Sequence, residues 1–268
     1  MKISSRAKDE IYMTPISICC LTFNSERTIR KTLESVKEIA DEIIVVDSFS
    51  TDRTIEIVKE FTDKVYSKEY RYHGLQMNHA LSLCSHEWVF CIDSDEYLDK
   101  DMIRHIRRLK EEGLDGKEAF RLRREWFFLG KPVHAFYPVT SPDRIVRFFN
   151  RKNVRFNEKP VHDKPIGFKN CSWLEGRLFH DSVASLHDLY DKLNKYTTRY
   201  ADGHAINADK VRLTYLLLNP LGAFMKWYFL KNNFLDGFRG FILGTYAAMY
   251  TFFKYAKLYH LKIRKNLL

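Results

Sequence analysis

The stretch WVFCIDSDE, residues 88–96, decides the fold. Its first five residues form an apolar run of β-strand length, and three acids follow within the next four residues. A buried strand that delivers carboxylates to its C-terminal end can hold a divalent metal against phosphates, because oxygen ligands suit Mg²⁺ and Mn²⁺. A solvated acidic turn after a core strand would have the same sequence. The segments around this stretch must therefore distinguish a metal site from a turn.

The preceding part of the chain alternates between strand and helix patterns. Apolar residues recur at helical spacing between the first two strands, at Ile29, Leu33 and Val36. The strand patterns are ISICCLT at 16–22, EIIVVD at 42–47 and VYS at 65–67, and a helical pattern fills 73–84. Such β-α alternation predicts a parallel sheet with helices on both faces.

Polar clusters follow three of the predicted strands, at residues 22–26, 47–52 and 93–96. Because ligands of parallel sheets bind beyond the carboxyl ends of the strands, the three clusters should converge on one site. This convergence favours a site over an acidic turn at residues 93–96. The chain contains neither G-x-G-x-x-G nor G-x-x-x-x-G-K-[ST]. A bound nucleotide would therefore be held mainly by side chains and a metal.

Bulk composition indicates a globular chain. It has 268 residues, of which 45% are hydrophobic and 29% charged. Residues 1–10 are polar and lack the apolar core of a signal peptide, so we expect no secretion. The five cysteines form no C-x-x-C pair, and four lie in apolar or helical runs. We expect buried thiols in a reducing cytoplasm.

The positive charge is concentrated at the C-terminal end. The net charge is +10, and residues 210–268 contain ten Lys or Arg, fourteen aromatics and a single acid, Asp236. This composition predicts contact with an anionic membrane surface. Nucleic acid is the competing partner for such charge. We expect no nucleic-acid binding, because the chain has no helix-turn-helix, zinc-finger or RNP pattern.

Neither apolar stretch of this tail predicts a membrane span. Residues 213–230 are interrupted by Asn219-Pro220 and Lys226, and residues 241–253 are too short for the ~20 residues that a spanning helix needs. We expect helices broken at 232–233 and 236–237. They would pack on the rest of the chain or lie in the membrane interface. The basic residues that would then face anionic lipid are Lys254, Lys257, Lys262, Arg264 and Lys265.

Four sequence blocks together resemble the nucleotide-sugar half of the family 2 glycosyltransferases, which have the GT-A fold. In order they are TFNSE at 22–26, VDSFSTDRT at 46–54, GLQMN at 74–78 and IDSDE at 92–96. The later part resembles, more loosely, the branch that contains lipopolysaccharide-core β-1,4-glucosyltransferases. That likeness rests on His162-Asp163, His180 and FLDG at 234–237.

The resemblance implies a site around a nucleotide-sugar donor. It implies donor contacts from Thr22, Phe23, Asn24, Glu26, Asp47, Ser48, Ser50, Asp52, Gln76, Asn78 and Asp93. It also implies that Asp93 and Asp95 form a D-x-D pair that holds Mg²⁺ or Mn²⁺ and the diphosphate. Several of these residues have a simpler interpretation as well: Asn24 or Ser25 and Asp52 as helix caps, and Gln76 and Asn78 as a polar helix face.

Inverting sugar transfer needs a base that takes the proton of the acceptor hydroxyl. Our first candidate is Asp163 and our second is Glu158, although both could instead be salt-bridged loop residues. The related pattern usually has His-Glu where this chain has His162-Asp163. His180 could donate a nitrogen to the metal, or it could be hydrogen-bonded only.

We therefore expect an α/β protein with the GT-A (Rossmann-like) fold, a mostly parallel sheet with flanking helices and a C-terminal helical extension. The catalytic domain would span residues 1–205, with a nucleotide-sugar half (1–100) and an acceptor half (101–205), and the extension would span 206–268. The expected enzyme is an inverting, metal-dependent glycosyltransferase. It would move glucose from UDP-glucose onto an inner-core heptose of lipopolysaccharide, a lipid-linked acceptor.

The expected location is cytoplasmic, peripheral at the inner face of the plasma membrane. The alternatives are another donor sugar, a polyprenyl-phosphate acceptor, and a non-catalytic membrane-bound scaffold on the same fold. A sugar nucleotidyltransferase is a further alternative, but it would normally carry a Gly-rich basic loop after the first strand. This chain has FNSE at 23–26 there, which argues against that class.

Overall fold

The computed structural model describes residues 13–159 and 163–267. They form two compact units. The first contains the described residues up to Arg123 together with Arg144–Leu178, and the second contains Arg124–Asp143 and the chain from Phe179 onward. The predicted division at residues 205 and 206 remains a prediction.

The first half of the chain alternates strands and helices as the sequence predicts. Its elements are β1 (Ile16–Thr22), α1 (Ile29–Val36), β2 (Glu42–Asp47), α2 (Thr54–Val58), β3 (Val65–Ser67), α3 (His73–Leu83), β4 (Trp88–Asp93), β5 (Glu96–Leu98) and α4 (Lys100–Glu112). β1 pairs in parallel with both β2 and β4, and β2 pairs in parallel with β3. The predicted parallel sheet is confirmed.

The remaining strands are mostly short. They are β6 (Ala119–Phe128), β7 (Lys131–Pro132), β8 (Ala135–Phe136), β9 (Val139–Thr140), β10 (Asp143–Asn150), β11 (Arg155–Phe156), β12 (Pro165–Ile166) and β13 (Cys171–His180). The main sheet has the order β3-β2-β1-β4-β10-β6-β13-β5, with β7 paired to β6. β10 runs antiparallel to β4 and turns the parallel sheet into a mixed one.

Two apolar layers cover the parallel strands. Every residue of β1 and β2 is buried, as expected for strands covered on both faces. Alternate residues of β1 enter opposite layers: Ile18 packs with Leu33 and Phe90, whereas Cys19 packs with Met77. Of the five cysteines, which are free thiols, four are buried as predicted, and Cys171 is half-buried.

Strand register brings three strand ends together at one edge of the sheet. Thr22 at the end of β1 lies opposite Asp47 at the end of β2. Leu21 lies opposite Asp93 at the end of β4. The polar clusters after β1, β2 and β4 therefore share this edge.

The second unit is mainly helical. It contains α5 (Leu186–Gly203), α6 (Leu213–Met225) and α7 (Phe238–Leu267), with 3₁₀ helices at Ala205–Lys210 and Asn233–Asp236 and a π-helical turn at Lys226–Leu230. Its core is lined by residues such as Phe128, Phe136, Leu189 and Leu243.

Two details of this helical unit bear on the sequence predictions. The expected breaks are present, since Asn232 and Gly237 both have positive φ angles on either side of the short 3₁₀ helix. Pro220, in contrast, lies inside α6 and does not end it. None of the helices within the described ranges is long and apolar enough to cross a membrane.

Candidate active site

The loops after β1 and β2 are joined by hydrogen bonds that use the predicted donor-site residues. The Asn24 amide N–H donates to Ser50 Oγ at 2.8 Å, and Asn24 Oδ1 accepts from the Thr51 amide at 2.8 Å. Asp47 accepts from the Ser50 hydroxyl at 2.5 Å and from its amide at 2.8 Å. The three predicted residues Asn24, Asp47 and Ser50 thus form one connected turn. Asn24 has φ +46°, a left-handed conformation that asparagine tolerates well.

A second set of bonds closes the same pair of loops. The Glu26 amide donates to Asp52 at 3.1 Å, and Glu26 accepts from the Arg53 amide at 3.1 Å. Asp52 also accepts from the Thr54 hydroxyl at 2.5 Å. Slight burial raises the pKa of Asp52, but the hydrogen bonds from Thr54 and from the Glu26 amide outweigh it and lower the pKa. Asp52 therefore stays ionised and shapes the start of α2.

Helix capping does not explain the residues after β1. α1 begins at Ile29, and its cap position is Thr28. Neither Asn24 nor Ser25 is the cap of α1, so that interpretation is wrong. Instead, the Ser25 hydroxyl lies 2.7 Å from the Ser94 hydroxyl and links this loop to the end of β4.

Two aromatic rings project from these loops. Phe23 is 55% exposed and Phe49 is 59% exposed. Phe49 has φ +66°, which is unusual for a bulky residue and marks a constrained turn. Thr22, by comparison, is buried, and its carbonyl accepts from the Ser48 amide at 3.0 Å. Sequence reasoning did not select Phe49, although an apolar ring within a polar turn was a usable signal.

The acids after β4 face a buried arginine. Asp93 forms a salt bridge with Arg147 at 2.5 Å, and Arg147 also contacts Glu96 at 3.2 Å. Glu96 is fully buried and accepts from the Asp93 amide at 3.1 Å. Burial lowers the pKa of Arg147, but the charges of Asp93 and Glu96 outweigh it and raise the pKa. Glu96, to which the sequence assigned no role, therefore helps to hold Arg147 beside Asp93.

His73 connects Asp93 to the first candidate base. Its Nε2 lies 3.0 Å from Asp93 Oδ1, and its Nδ1 lies 2.6 Å from Asp163 Oδ2. Burial lowers the pKa of His73, but the charge of Asp93 and the hydrogen bonds with both carboxylates raise it to about 9. An imidazolium therefore joins the two acids at neutral pH. We call Asp93, His73 and Asp163 the carboxylate bridge.

Gly74 lets Asn157 and Asp163 approach α3. A Cβ at Gly74 would lie 2.3 Å from the Asn157 carbonyl oxygen and 3.2 Å from the Asp163 Cβ. Both distances are shorter than ordinary contacts, and the first is to backbone. Glycine at this position is thus required for the close packing that brings Asp163 to His73.

Gln76 and Asn78 do not form a solvated polar face of α3. Their side chains make hydrogen bonds to other segments of the chain. Gln76 is buried and donates to the Lys68 carbonyl at 2.9 Å and to Ser48 Oγ at 3.2 Å. Asn78 Nδ2 donates to the Phe156 carbonyl, and Asn78 Oδ1 accepts from the Phe156 backbone amide, both at 2.9 Å. Gln76 thus contacts the loop after β2, and Asn78 fixes β11.

Comparisons with known proteins show the family of the chain. The model of glycosyl transferase family 2 matches residues 17–168, which is more than half of the chain. The chain belongs to glycosyltransferase family 2. Its parallel sheet and flanking helices confirm the GT-A expectation.

Curated relatives of this family 2 glycosyltransferase cover nearly its whole length. The lipopolysaccharide core biosynthesis glycosyltransferase LpsC of Rhizobium meliloti is 30% identical, with 94% of this chain and 96% of the relative aligned. An uncharacterized glycosyltransferase of Rickettsia typhi is 29% identical over 95% of this chain and 90% of its own.

Solved structures with similar folds are more distant. S. aureus TarS in complex with UDP is 17% identical, covers 94% of this chain and 92% of its own, and has a TM-score of 0.45. Glucosyl-3-phosphoglycerate synthase of Mycobacterium tuberculosis with Mn²⁺ and UDP-glucose is 23% identical, with 42% of this chain and 44% of its own aligned and a TM-score of 0.35.

The two candidate bases of the glycosyltransferase have different surroundings. Asp163 is half-buried in the carboxylate bridge. Glu158 is exposed. His162, the neighbour of Asp163 in the sequence resemblance, lies outside the described residues.

Asp93 and Asp95 are the carboxylates that would hold a metal at the end of β4. Among the residues that the structure describes, no three His, Cys, Asp or Glu side chains form a group that could hold a metal ion. A magnesium ion that shares phosphate and water ligands needs only one or two carboxylates from the protein. The half-buried Asp95 and the neighbouring Asp93 supply hard oxygens of this type, so the pair fits such a metal.

His180 belongs to the second unit, where its ring centroid lies 4.2 Å from that of Trp126. A role for His180 as a metal ligand remains a prediction. Besides Phe49, the residues missed from sequence are His73, Arg147 and Glu96. A signal for Arg147 was available, since it is a charge within the otherwise apolar run IVRFF at 145–149.

Proposed function

We propose that this family 2 enzyme is an inverting hexosyltransferase that moves glucose from UDP-glucose onto a heptose of the lipopolysaccharide inner core. The carboxylate bridge carries the proposal. One imidazole ring and two hydrogen bonds separate Asp93, at the strand edge where a diphosphate would bind, from Asp163, the candidate base. In an inverting transfer the leaving diphosphate and the attacking hydroxyl are on opposite sides of one sugar carbon. Two carboxylates separated in this way suit that arrangement.

The loops after β1 and β2 would bind the nucleoside. The exposed rings of Phe23 and Phe49 offer flat apolar surfaces on which a nucleobase can stack. Asp47 already accepts two hydrogen bonds from Ser50, but each carboxylate oxygen has a second lone pair for a ribose hydroxyl or a base N–H. Because Gln76 contacts Ser48 from α3, the loop is fixed before the donor arrives.

Asp95 and Asp93 would hold Mg²⁺ or Mn²⁺. When bound, the metal supplies positive charge that stabilises the leaving diphosphate. Arg147 and the His73 imidazolium place two positive groups against the partly buried carboxylate of Asp93. The proposed role of Arg147 is therefore to balance the charge at Asp93 and to orient it.

Asp163 would act as the general base. Its carboxylate takes the proton of the acceptor hydroxyl while that oxygen forms a bond to the anomeric carbon of glucose. The bond between this carbon and the diphosphate oxygen breaks at the same time, and its electron pair leaves with UDP. His73 orients the Asp163 carboxylate through Nδ1 and leaves the second oxygen of Asp163 for the acceptor. Glu158 is the alternative base.

The proposed acceptor is carried by a lipid, so we place the reaction at the inner face of the plasma membrane. Support comes from the relative named for lipopolysaccharide core biosynthesis, which aligns over 94% of this chain. The basic and aromatic composition of residues 210–268 also supports an anionic membrane surface as a partner.

A thermal-shift panel of nucleotide sugars with and without Mn²⁺ tests the donor and the metal together. We expect UDP-glucose to raise the melting temperature by several degrees only when Mn²⁺ is present, because a ligand stabilises the state that binds it. Asp95→Asn should melt like the wild type without ligand and lose this response. Stabilisation only by ADP-heptose or UDP-N-acetylglucosamine would contradict the choice of donor.

A further inference from the structure

α6 is a helix without a buried residue. Leu217, Leu218 and Leu221 are each more than 60% exposed, and Met225 is 55% exposed. Residues spaced by three and four positions share one side of a helix, so these four side chains form a single stripe. Helices of globular proteins normally turn such a stripe toward the core. Here it points away from the rest of its unit.

Further exposed apolar side chains follow the end of α6. Leu230 and Leu235, in the turns that connect α6 to α7, are 77% and 60% exposed, and Phe238, the first residue of α7, is 77% exposed. Ring contacts join these segments, since Phe229 lies 6.4 Å from Phe224 and 6.5 Å from Phe234 between ring centroids. We call Leu217, Leu218, Leu221, Met225, Leu230, Leu235 and Phe238 the apolar face.

The opposite side of α6 packs normally. The Phe224 ring lies 6.0 Å from that of Phe241, and it also contacts the region around Gly244 of α7. Trp227, in the π-helical turn, is buried against Ala135 and Ala247. The helix is therefore held in place by one side, while its leucine stripe has no cover among the described residues.

Charge around the apolar face has one sign. Residues 213–235 contain Lys226 and Lys231, both exposed or half-exposed, and no acid. The nearby acid, Asp236, is turned inward, where its carboxylate contacts the His134 ring and amide at 2.8 Å. Within residues 213–236, the face thus combines apolar side chains with two lysines, and the single acid is bonded to His134.

The basic end of α7, in contrast, is used inside the unit. Lys257 Nζ lies 2.7 to 2.8 Å from four acceptor oxygens of α5, to which it donates its three protons, and Lys262 donates to the Val211 carbonyl at 3.1 Å. Lys254 lies over the Tyr200 and Tyr255 rings, and Lys265 pairs with Asp209. The sequence-based expectation that this group faces lipid is therefore wrong for the ammonium groups of Lys254, Lys257 and Lys262.

We infer that the apolar face is a membrane-insertion surface, which enters the headgroup and acyl boundary of an anionic bilayer with α6 lying in the plane of the membrane. The charge selects this partner. A second copy would bring Lys226 and Lys231 against the same charges, because a symmetric dimer pairs identical patches. Anionic lipid offers apolar chains for the leucines and negative headgroups for the lysines.

The inference depends on the proposed function only for its purpose, which is access to a lipid-borne acceptor. Vesicle binding can be measured without catalysis. The full chain is floated with phosphatidylcholine vesicles that contain phosphatidylglycerol, and the double variant Leu218→Glu/Leu221→Glu is compared with the wild type. The matched control is Leu186→Glu, an exposed leucine in the first turn of α5.

We expect the vesicle affinity of the double variant to fall at least about tenfold, because two side chains that insert into the bilayer become charged. Leu186→Glu should bind like the wild type, and both variants should melt at the wild-type temperature. Binding should largely persist in high salt, which screens headgroup attraction but not apolar insertion. Asp95→Asn should also bind like the wild type, which separates membrane binding from the proposed catalytic site.

Two outcomes would overturn the inference. One is equal vesicle binding by the wild type and the double variant. The other is a wild-type chain that does not bind vesicles and instead self-associates through the apolar face. Sedimentation would then detect a dimer for the wild type and a monomer for the double variant.

Discussion

At the scale of single residues, the site depends on charges that balance one another in a partly buried place. The position of Asp93 and Asp95 at the end of β4 could be predicted because they follow an apolar run directly, and their role as a metal pair stays a prediction. That His73 and Arg147 contact Asp93 could not be predicted, since they lie 20 and 54 positions away in the sequence, although the charge of Arg147 within an apolar run was a signal for that residue. Such long-range partners are set by the pairing of β10 with β4 and by the start of α3, which local patterns do not encode.

Removing Arg147 tests the value of this charge balance. Arg147→Ala would remove the arginine that contacts the fully buried Glu96, and we expect a loss of about 3–5 kcal/mol in the free energy of unfolding. Arg144→Ala, on the same strand but exposed, should change it by less than about 0.5 kcal/mol. Urea titration of both variants measures the difference. Similar losses in the two would contradict a special role for Arg147.

At the scale of elements, the sequence predicted the β-α alternation well, because parallel strands covered on both faces appear as continuous apolar runs. The observed bounds of β1 and β2 are those predicted from their apolar runs. The position of β10 beside β4, and of β13 between β6 and β5, could not be predicted. These pairings join segments far apart in the chain, so only the tertiary structure determines them.

Gly74 tests the packing between α3 and the segment that carries Asp163. Gly74→Ala would bring its Cβ to 2.3 Å from the Asn157 carbonyl, so the segment must shift away from His73. We expect a loss of roughly 1–3 kcal/mol in stability and a strong loss of transfer activity. Gly203→Ala, at the end of α5 with open space around it, is the matched control and should preserve both. Full activity of Gly74→Ala would show that Asp163 does not depend on this contact.

Glu42 at the start of β2 links β1 to the loops that precede β3 and β4. Its buried carboxylate accepts from Lys64 and Ser17, both at 2.5 Å, and from Ser85. Burial raises the pKa of Glu42, but these hydrogen bonds outweigh it and lower the pKa from 4.5 to about 2. A carboxylate whose pKa is lower in the folded state stabilises the fold at pH values above its unfolded-state pKa. This stabilisation is lost as the pH falls from 4.5 toward 2.

The expected contribution of Glu42 is on the order of 3 kcal/mol at neutral pH. Urea unfolding at a series of pH values should show the wild-type stability falling between pH 4.5 and 2. Glu42→Gln, which cannot ionise, should start lower at neutral pH and fall less steeply in this range. Parallel curves for the two proteins would argue against the hydrogen-bonded carboxylate.

At the scale of the whole molecule, the composition identified residues 210–268 as the segment expected to contact a membrane, but not which of its side chains are exposed. The excess of positive charge in residues 210–268 predicted a membrane contact through lysines. In the helical unit the lysines near the end of α7 are bonded to α5 and to Val211, whereas exposed leucines lie on α6. Charge counts cannot separate a solvated lysine from one that packs within a unit, because both have the same sequence signal.

The most direct test of the central claim is the rate of glucose transfer by Asp163→Asn compared with Glu158→Gln. Transfer is followed with radiolabelled UDP-glucose at saturating concentration, Mn²⁺ and a heptose-terminated lipid acceptor. We predict that Asp163→Asn lowers kcat by about 10²–10⁴ while UDP-glucose still raises its melting temperature, since only the general base is lost. Glu158→Gln should retain nearly the full rate. The opposite pattern, with Asp163→Asn active and Glu158→Gln inactive, would contradict the proposed role of the carboxylate bridge.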